Sequence, residues 1–246
     1  LNAQDLVLNP SSITHPVLAK NGMVATQHYL ASKVGEDILS RGGNAYDAAV
    51  AVGFALAVVL PRAGNIGGGG FMVMHDATSN ESHSIDYREK APLKASRDMY
   101  LNEDGSVNTS RSTIGYLAIG VPGSVYGMWE VHKKFGSMSW EELLQPAIEL
   151  ADKGFEMSPY MIMTLNRVHG KLSQFEETES IFYKDYPIKF NTLLVQTDLA
   201  ETLRLIAQNG VAGFYEGEVA DKIVSAMKKN GGLISHRDLK KYRPSW

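Results

Sequence analysis

Residues Gly67 to Pro92 read GGGGFMVMHDATSNESHSIDYREKAP, and the rest of the chain is best understood outward from this stretch. Four glycines open a short apolar run, Phe71 to Met74; a polar turn follows, and Ser84-Ile85-Asp86-Tyr87-Arg88-Glu89 returns. The pattern predicts a β-hairpin with a charged exit. Side chains alternate along a strand, so Asp86 and Arg88 are expected on one face, with Tyr87 and Glu89 on the other. An arginine beside one carboxylate is partly neutralised and held, yet its planar fork carries more N–H donors than Asp86 can use. A free edge of Arg88 can therefore receive a second carboxylate, from an acidic ligand, in bidentate geometry. The competing reading is an exposed ion pair at a strand end, worth about 0–1 kcal/mol.

The glycines themselves do not form a nucleotide loop. Successive backbone N–H groups can cradle an anion. Here, however, no Lys-Ser or Lys-Thr follows, and Gly67 to Gly70 run into the strand FMVMH instead of opening a helix. A tight turn, or close approach of one backbone to another or to a ligand, accounts for them better.

Composition narrows the classes. The 246 residues are 44% hydrophobic, enough for a buried core, and 24 basic against 27 acidic residues give a net charge of -3. Such a balance offers no field for nucleic acid or an anionic membrane. The aromatics Phe175, Phe182, Tyr183, Tyr186 and Phe190 interleave with Lys184 and Lys189, but Glu176, Glu177, Glu179 and Asp185 oppose a nucleic-acid platform, which favours loop and core packing. Cysteine is absent, which excludes disulfides and a thiolate nucleophile in these residues. The seven histidines, His15, His28, His75, His83, His132, His169 and His236, lack metal-ligand spacing, so no metal and no cofactor is expected. The first residue is Leu1, compatible with a removed presequence or a trimmed chain. The apolar run Ala48 to Leu60 is too short for the ~20 residues a bilayer needs and reads as a buried core helix.

Along the chain, Leu1 to Lys20 is expected to be an irregular lead-in and Gly22 to His28 a short strand. A helix is predicted over Tyr29 to Arg41, ended by Gly42-Gly43, and a second begins at the N-cap Asn44 with Asp47 favouring its positive end. Because AAVAVGFALAVVL is apolar on every side, this second helix is expected at the centre of the fold. Arg111 to Ile119 reads as loop or weak strand, and Pro122 as the first residue of a helix to Phe135. Further helices are introduced by the capping boxes Ser139/Glu142 and Asp198/Glu201, by Ser158-Pro159, and by Ser235; Glu218 to Lys229 is also helical. No repeat of fixed period is visible.

Taken together, GMVATQHYLAS (Gly22 to Ser32), RGGNAYDAAVAVGFALAVVLP (Arg41 to Pro61), GNIGGGGFMVMH (Gly64 to His75), DYREKAP (Asp86 to Pro92) and GVPGSVYGM (Gly120 to Met128) carry a resemblance. In that order they are similar to the large subunit of the γ-glutamyltranspeptidases, of the N-terminal-nucleophile hydrolase superfamily. The resemblance implies an α/β (α+β) fold, a four-layer αββα sandwich to which this chain supplies the helix-rich large-subunit part. It further implies a precursor that cleaves itself, exposing a threonine at the start of the small subunit. That threonine attacks the γ-glutamyl amide of glutathione or a similar compound, and the acyl-enzyme passes its group to water or an amine in ping-pong fashion.

The family's large subunit continues past the position of Trp246, and its threonine motif is not among these residues. The expectation is therefore a single-domain, incomplete large-subunit portion spanning 1–246, inactive alone and without a catalytic residue of its own. Its expected partner is the small subunit of the same precursor, its expected location periplasmic or secreted. Arg88, the arginine of the family's R-E-x-A-P segment, is implied to hold the α-carboxylate of the γ-glutamyl group, with Asp86 and Glu89 orienting it. Two rival readings stay open: a relative acting on cephalosporin side chains or poly-γ-glutamate, and a non-catalytic binding or structural chain on the same scaffold.

Overall fold

The computed structural model describes residues 18–246, so most of the expected lead-in, with His15, lies outside the described residues. The core is built on the helix predicted to be central. This helix (α2, Ala45–Val59) buries Ala48, Val50, Ala51, Phe54, Ala55, Val58 and Val59, leaving no face for solvent. Its start is fixed as expected: the Asn44 side chain accepts the N–H groups of Tyr46 and Asp47 at 2.9 Å each, and Asp47 Oδ2 accepts the Asn44 N–H at 2.9 Å. The preceding helix (α1, Tyr29–Ser40) packs along it and stops one residue before the expected Arg41; the left-handed turn anticipated beyond it is present at Gly42, φ 93°.

Two corrections arise at the edges of this pair. Residues 22–28 form no strand, because no neighbouring strand accepts their backbone; His28 instead caps α1, its Nδ1 accepting the Leu30 N–H. The helix expected from Pro122 starts two residues later (α4, Ser124–Phe135). Pro122 is held outside it, its carbonyl accepting the Tyr215 hydroxyl at 2.8 Å, while Val121 pairs with Lys90.

Helix α5 (Trp140–Lys153) has the predicted Ser139/Glu142 capping box and packs on α2 and on α8 (Thr197–Asn209). Trp140 meets Phe54 edge-on, ring centres 5.4 Å apart, and its indole N–H donates to Ile206 O at 2.9 Å. The proposed Asp198/Glu201 box does not cap α8; Gln196 precedes the helix, buried, its amide donating to Val58 O at 3.0 Å. Helix α6 (Pro159–Leu172) starts at Ser158-Pro159 as read from sequence.

Three short helices depart from the sequence expectation, the third being Ala212–Tyr215 between two expected helices. Asn108 caps α3 (Thr109–Thr113), followed by a 3-10 turn (Tyr116–Ala118), where loop or weak strand was expected. Residues 176–182 form α7 (Glu176–Phe182), whose three first-turn glutamates suit the positive end of a helix. The remaining helices are α9 (Ala212–Tyr215), α10 (Gly217–Lys229) and α11 (His236–Lys241), the last capped by Ser235 and Asp238.

Strands are few among the described residues. The predicted hairpin is present as β1 (Phe71–Asp76) paired antiparallel to β2 (Glu81–Asp86), with Met72 opposite Ile85 and Met74 opposite His83. Met74 and Ile85 enter the core, whereas Phe71 and Val73 stand outward, 66% and 82% exposed. A second, minimal pair joins β3 (Phe155–Glu156) to β4 (Leu193–Leu194). No described helix is long and apolar enough to cross a membrane.

Candidate functional site

The return strand ends at Asp86, so the charged exit leaves the ladder earlier than its sequence suggested. Tyr87 still exchanges two backbone bonds with Gly70, at 2.9 and 3.3 Å, and burial alternates onward: Tyr87 and Glu89 are half-buried, Asp86 and Arg88 exposed. The glycines act through close approach. A Cβ on Gly69 would lie 2.7 Å from the Glu89 N and 2.8 Å from the Arg88 Cα, so no side chain fits between the two runs of backbone. The carbonyl of Gly68 accepts the N–H groups of Gly123 (2.7 Å) and Ser124 (3.0 Å), joining the glycine run to the start of α4. Gly123 is equally constrained, because a Cβ there would run into the Tyr87 carbonyl and the Tyr242 hydroxyl.

Arg88 is therefore mounted on a backbone gripped from several directions. Its N–H donates to Asp86 Oδ1 at 2.9 Å, and its carbonyl accepts the Tyr242 hydroxyl at 2.9 Å. On one flank Lys90 and Val121 bond to each other twice (2.8 and 3.2 Å); on the other, Asp86 and Ser245 do the same, at 2.8 Å each. Tyr242 is packed face to face with Tyr215, ring centres 5.9 Å apart. Burial, reinforced by the charges of Asp86 and Glu89, raises its pKa above the ordinary phenol value, so the hydroxyl keeps the proton it donates to Arg88 O.

The side chain of Arg88 is freer than its backbone. It is 58% exposed, and its Cζ lies 5.9 Å from the centre of the Phe71 ring. The expected neighbour is corrected: the carboxylate beside the guanidinium belongs to Glu89, Oε2 to Nε 3.3 Å, whereas Asp86 holds the backbone N–H. Once the strand ends, strict alternation no longer decides which long side chains meet, and the neighbour in sequence reaches furthest. Glu89 Oε2 stands at ion-pair distance but without a hydrogen bond among the described residues, and the Arg88 guanidinium likewise makes no hydrogen bond there. What remains is a planar donor edge facing outward beside an exposed phenyl ring, a geometry suited to a carboxylate.

Sequence reasoning found Arg88, Asp86 and Glu89 but not Tyr242, Ser245 or Gly123. Tyr242 and Arg88 are 154 residues apart, and no local pattern links them. No group of three His, Asp or Glu positioned for a metal occurs among the described residues.

Comparison with known proteins places these features in context. The family profile described as Gamma-glutamyltranspeptidase matches residues 31–246. The chain is 50% identical over 233 residues to a glutathione hydrolase proenzyme of Pseudomonas sp. strain A14, covering 93% of this chain and 40% of that protein. It is 45% identical over 233 residues to the glutathione hydrolase proenzyme of Escherichia coli K12, covering 94% and again 40%. The chain thus spans about two fifths of the length of these curated relatives, 40% in both cases. The crystal structure of Helicobacter pylori gamma-glutamyltranspeptidase superposes with a TM-score of 0.91 at 46% identity, over 94% of this chain and 67% of that one. The mixed α/β fold expected from the resemblance is thereby the fold of this chain.

Proposed function

The chain belongs to the γ-glutamyltranspeptidase family, and from that membership we propose that it is the large-subunit portion of an enzyme that cleaves γ-glutamyl amides such as glutathione. Its described residues form one part of a larger active protein, in which a small subunit released from the same precursor supplies the threonine nucleophile. The hydroxyl of that threonine attacks the γ-carbonyl, the amine leaves, and the acyl group passes to water or an acceptor amine. Arg88 receives the α-carboxylate of the γ-glutamyl group, its fork oriented through Glu89 and its backbone through Asp86 and Tyr242.

The observation that carries this reading is the outward donor edge of an arginine whose main chain is bonded on both flanks. A guanidinium held that way discriminates for a carboxylate at one place, which a mobile lysine does not. The same feature calls for a carboxylate at that distance from the scissile amide; poly-γ-glutamate and a glutaryl side chain carry one too, so the donor assay separates these alternatives. The periplasmic or secreted location proposed for the complete protein rests on the family resemblance alone.

The test is intact-mass analysis under denaturing conditions of protein expressed from the complete gene, followed by assay with a γ-glutamyl donor. Two polypeptides, the second starting with threonine, and release of the donor's amine are expected. A single uncleaved species, or cleaved protein that turns over a glutaryl amide but not glutathione, would refute the reading.

A further inference from the structure

A second site lies away from Arg88, under helix α6. Only Ile162 in that helix is fully buried. Its polar tethers run to residues that follow it in the chain: the Tyr183 hydroxyl donates to Leu165 O at 2.9 Å, and Asn166 exchanges two 2.9 Å bonds with the backbone of Ile188. His169 meets Glu179 of α7 at 3.4 Å and stacks on Tyr186, ring centres 3.6 Å apart. Between α6, α7 and the C-terminal end of α2 these tethers leave a pocket of about 330 Å³. That volume is at the small end of the ~300–1,000 Å³ typical of ligand sites.

The lining has a direction. Its body is apolar, with Val59 and Leu60 on one wall and Leu165 and Val168 on the other. No acidic residue lines it, and its one permanent charge is Arg62, exposed, its guanidinium 5.6 Å from the centre of the Tyr160 ring. No carboxylate among the described residues lies within ion-pair distance of Arg62. His28, nine-tenths buried, also lines the pocket. Its Nδ1 accepts the Leu30 N–H, so the neutral ring carries its proton on Nε2, a donor with no protein partner among the described residues. Burial lowers the His28 pKa, which keeps the ring neutral at neutral pH. By contrast, the larger depression of about 550 Å³ beside β4 is lined by Lys184 together with Asp185 and Asp198, and favours neither sign.

We propose that the pocket between α2 and α6 binds a small monocarboxylate with an apolar body, the carboxylate at Arg62 and the body between Leu60 and Leu165. The apolar walls supply most of the affinity, and the guanidinium, without a carboxylate partner among the described residues, sets the sign of the head group. The site neither touches Arg88 nor depends on the γ-glutamyl reading, so its readout is binding and not turnover.

The experiment is calorimetric titration of octanoate, with octanol as the uncharged counterpart, into the complete protein that contains this chain. Octanoate is expected to bind at one site and octanol at least tenfold more weakly. Arg62→Gln, a surface change, should reduce octanoate affinity about tenfold and leave octanol unaffected. Thr164→Trp should fill the pocket and abolish both; Thr164→Leu, a smaller change, should weaken both if the tryptophan variant does not fold. Equal binding of octanoate and octanol, unchanged octanoate affinity in Arg62→Gln, binding that survives both Thr164 variants, or no octanoate binding at all would each overturn the proposal.

Discussion

The start of α2 and the exit of the hairpin are each organised by carboxylates, and they use them in opposite ways. Asp47 is fully buried and accepts from the Asn44 N–H, the Ser137 N–H and hydroxyl, and the Met138 N–H, leaving it no capacity for anything else. At the exit, Asp86 is exposed and Glu89 keeps an oxygen without a hydrogen bond among the described residues, beside an arginine with donors to spare. A saturated group does structural work. An unsaturated one, held on a rigid mount, is available to a ligand.

The sharpest way to break that contrast is to remove Asp47. Asp47→Ala in the complete protein leaves several buried donors unpaired, and a loss of about 3 kcal/mol in unfolding free energy by urea titration is expected. A loss below about 1 kcal/mol would show that the site is not the saturated anchor described. The pH dependence has a definite sign. Burial would raise the Asp47 pKa, but the hydrogen bonds from Ser137, Asn44 and Met138 outweigh it and hold the carboxyl below the usual aspartate value. A group depressed in the folded state contributes fully above its unfolded pKa and loses that contribution as pH falls through the folded one. Asp47→Asn should therefore flatten the stability curve below about pH 4, and an unchanged acid limb would contradict the assignment.

The next effect belongs to the other region. Arg88→Lys should leave the melting temperature unchanged while costing about 2 kcal/mol in kcat/KM for a γ-glutamyl donor, mostly through KM, because a point charge does not reproduce the fork. Unaltered donor kinetics would remove Arg88 from the site. Smallest of all is Tyr242→Phe, which deletes only the hydroxyl bonded to Arg88 O. About 1 kcal/mol of stability is expected to go, with a modest rise in donor KM. If stability falls while KM stays fixed, Tyr242 supports the fold alone.

The same comparison explains what was legible in the sequence. Caps made within a few residues were readable: Asn44, the Ser139/Glu142 box and Ser235 stand where expected, while the reciprocal bonds of Asp47 and Asp238 go beyond that reading. So was the all-round burial of α2, since continuous apolarity admits no surface position. Failures came where a distant partner decides. Residues 22–28 have strand composition but no strand beside them, and Pro122 is kept from α4 by Tyr215 and the Val121–Lys90 pairing. Helix α7 was missed for another reason: the glutamates that favour its first turn were weighed only as charge. Arg88 was found because its chemistry is unusual at a strand end, whereas the Tyr242 hydroxyl that fixes its backbone left no local trace.

The bonds from Ser245 to Asp86 and from Tyr242 to Arg88 also carry a consequence for the order of assembly. The contacts of α2 with α1 join neighbours in sequence, so they can form while synthesis continues; the Arg88 backbone waits for a segment 154 residues downstream. The α1–α2 pairing is therefore expected to form before a finished Arg88 mount. Pulse-labelled hydrogen exchange during refolding should protect the amides of α2 before that of Asp86, and simultaneous protection would mean that the two form as one unit.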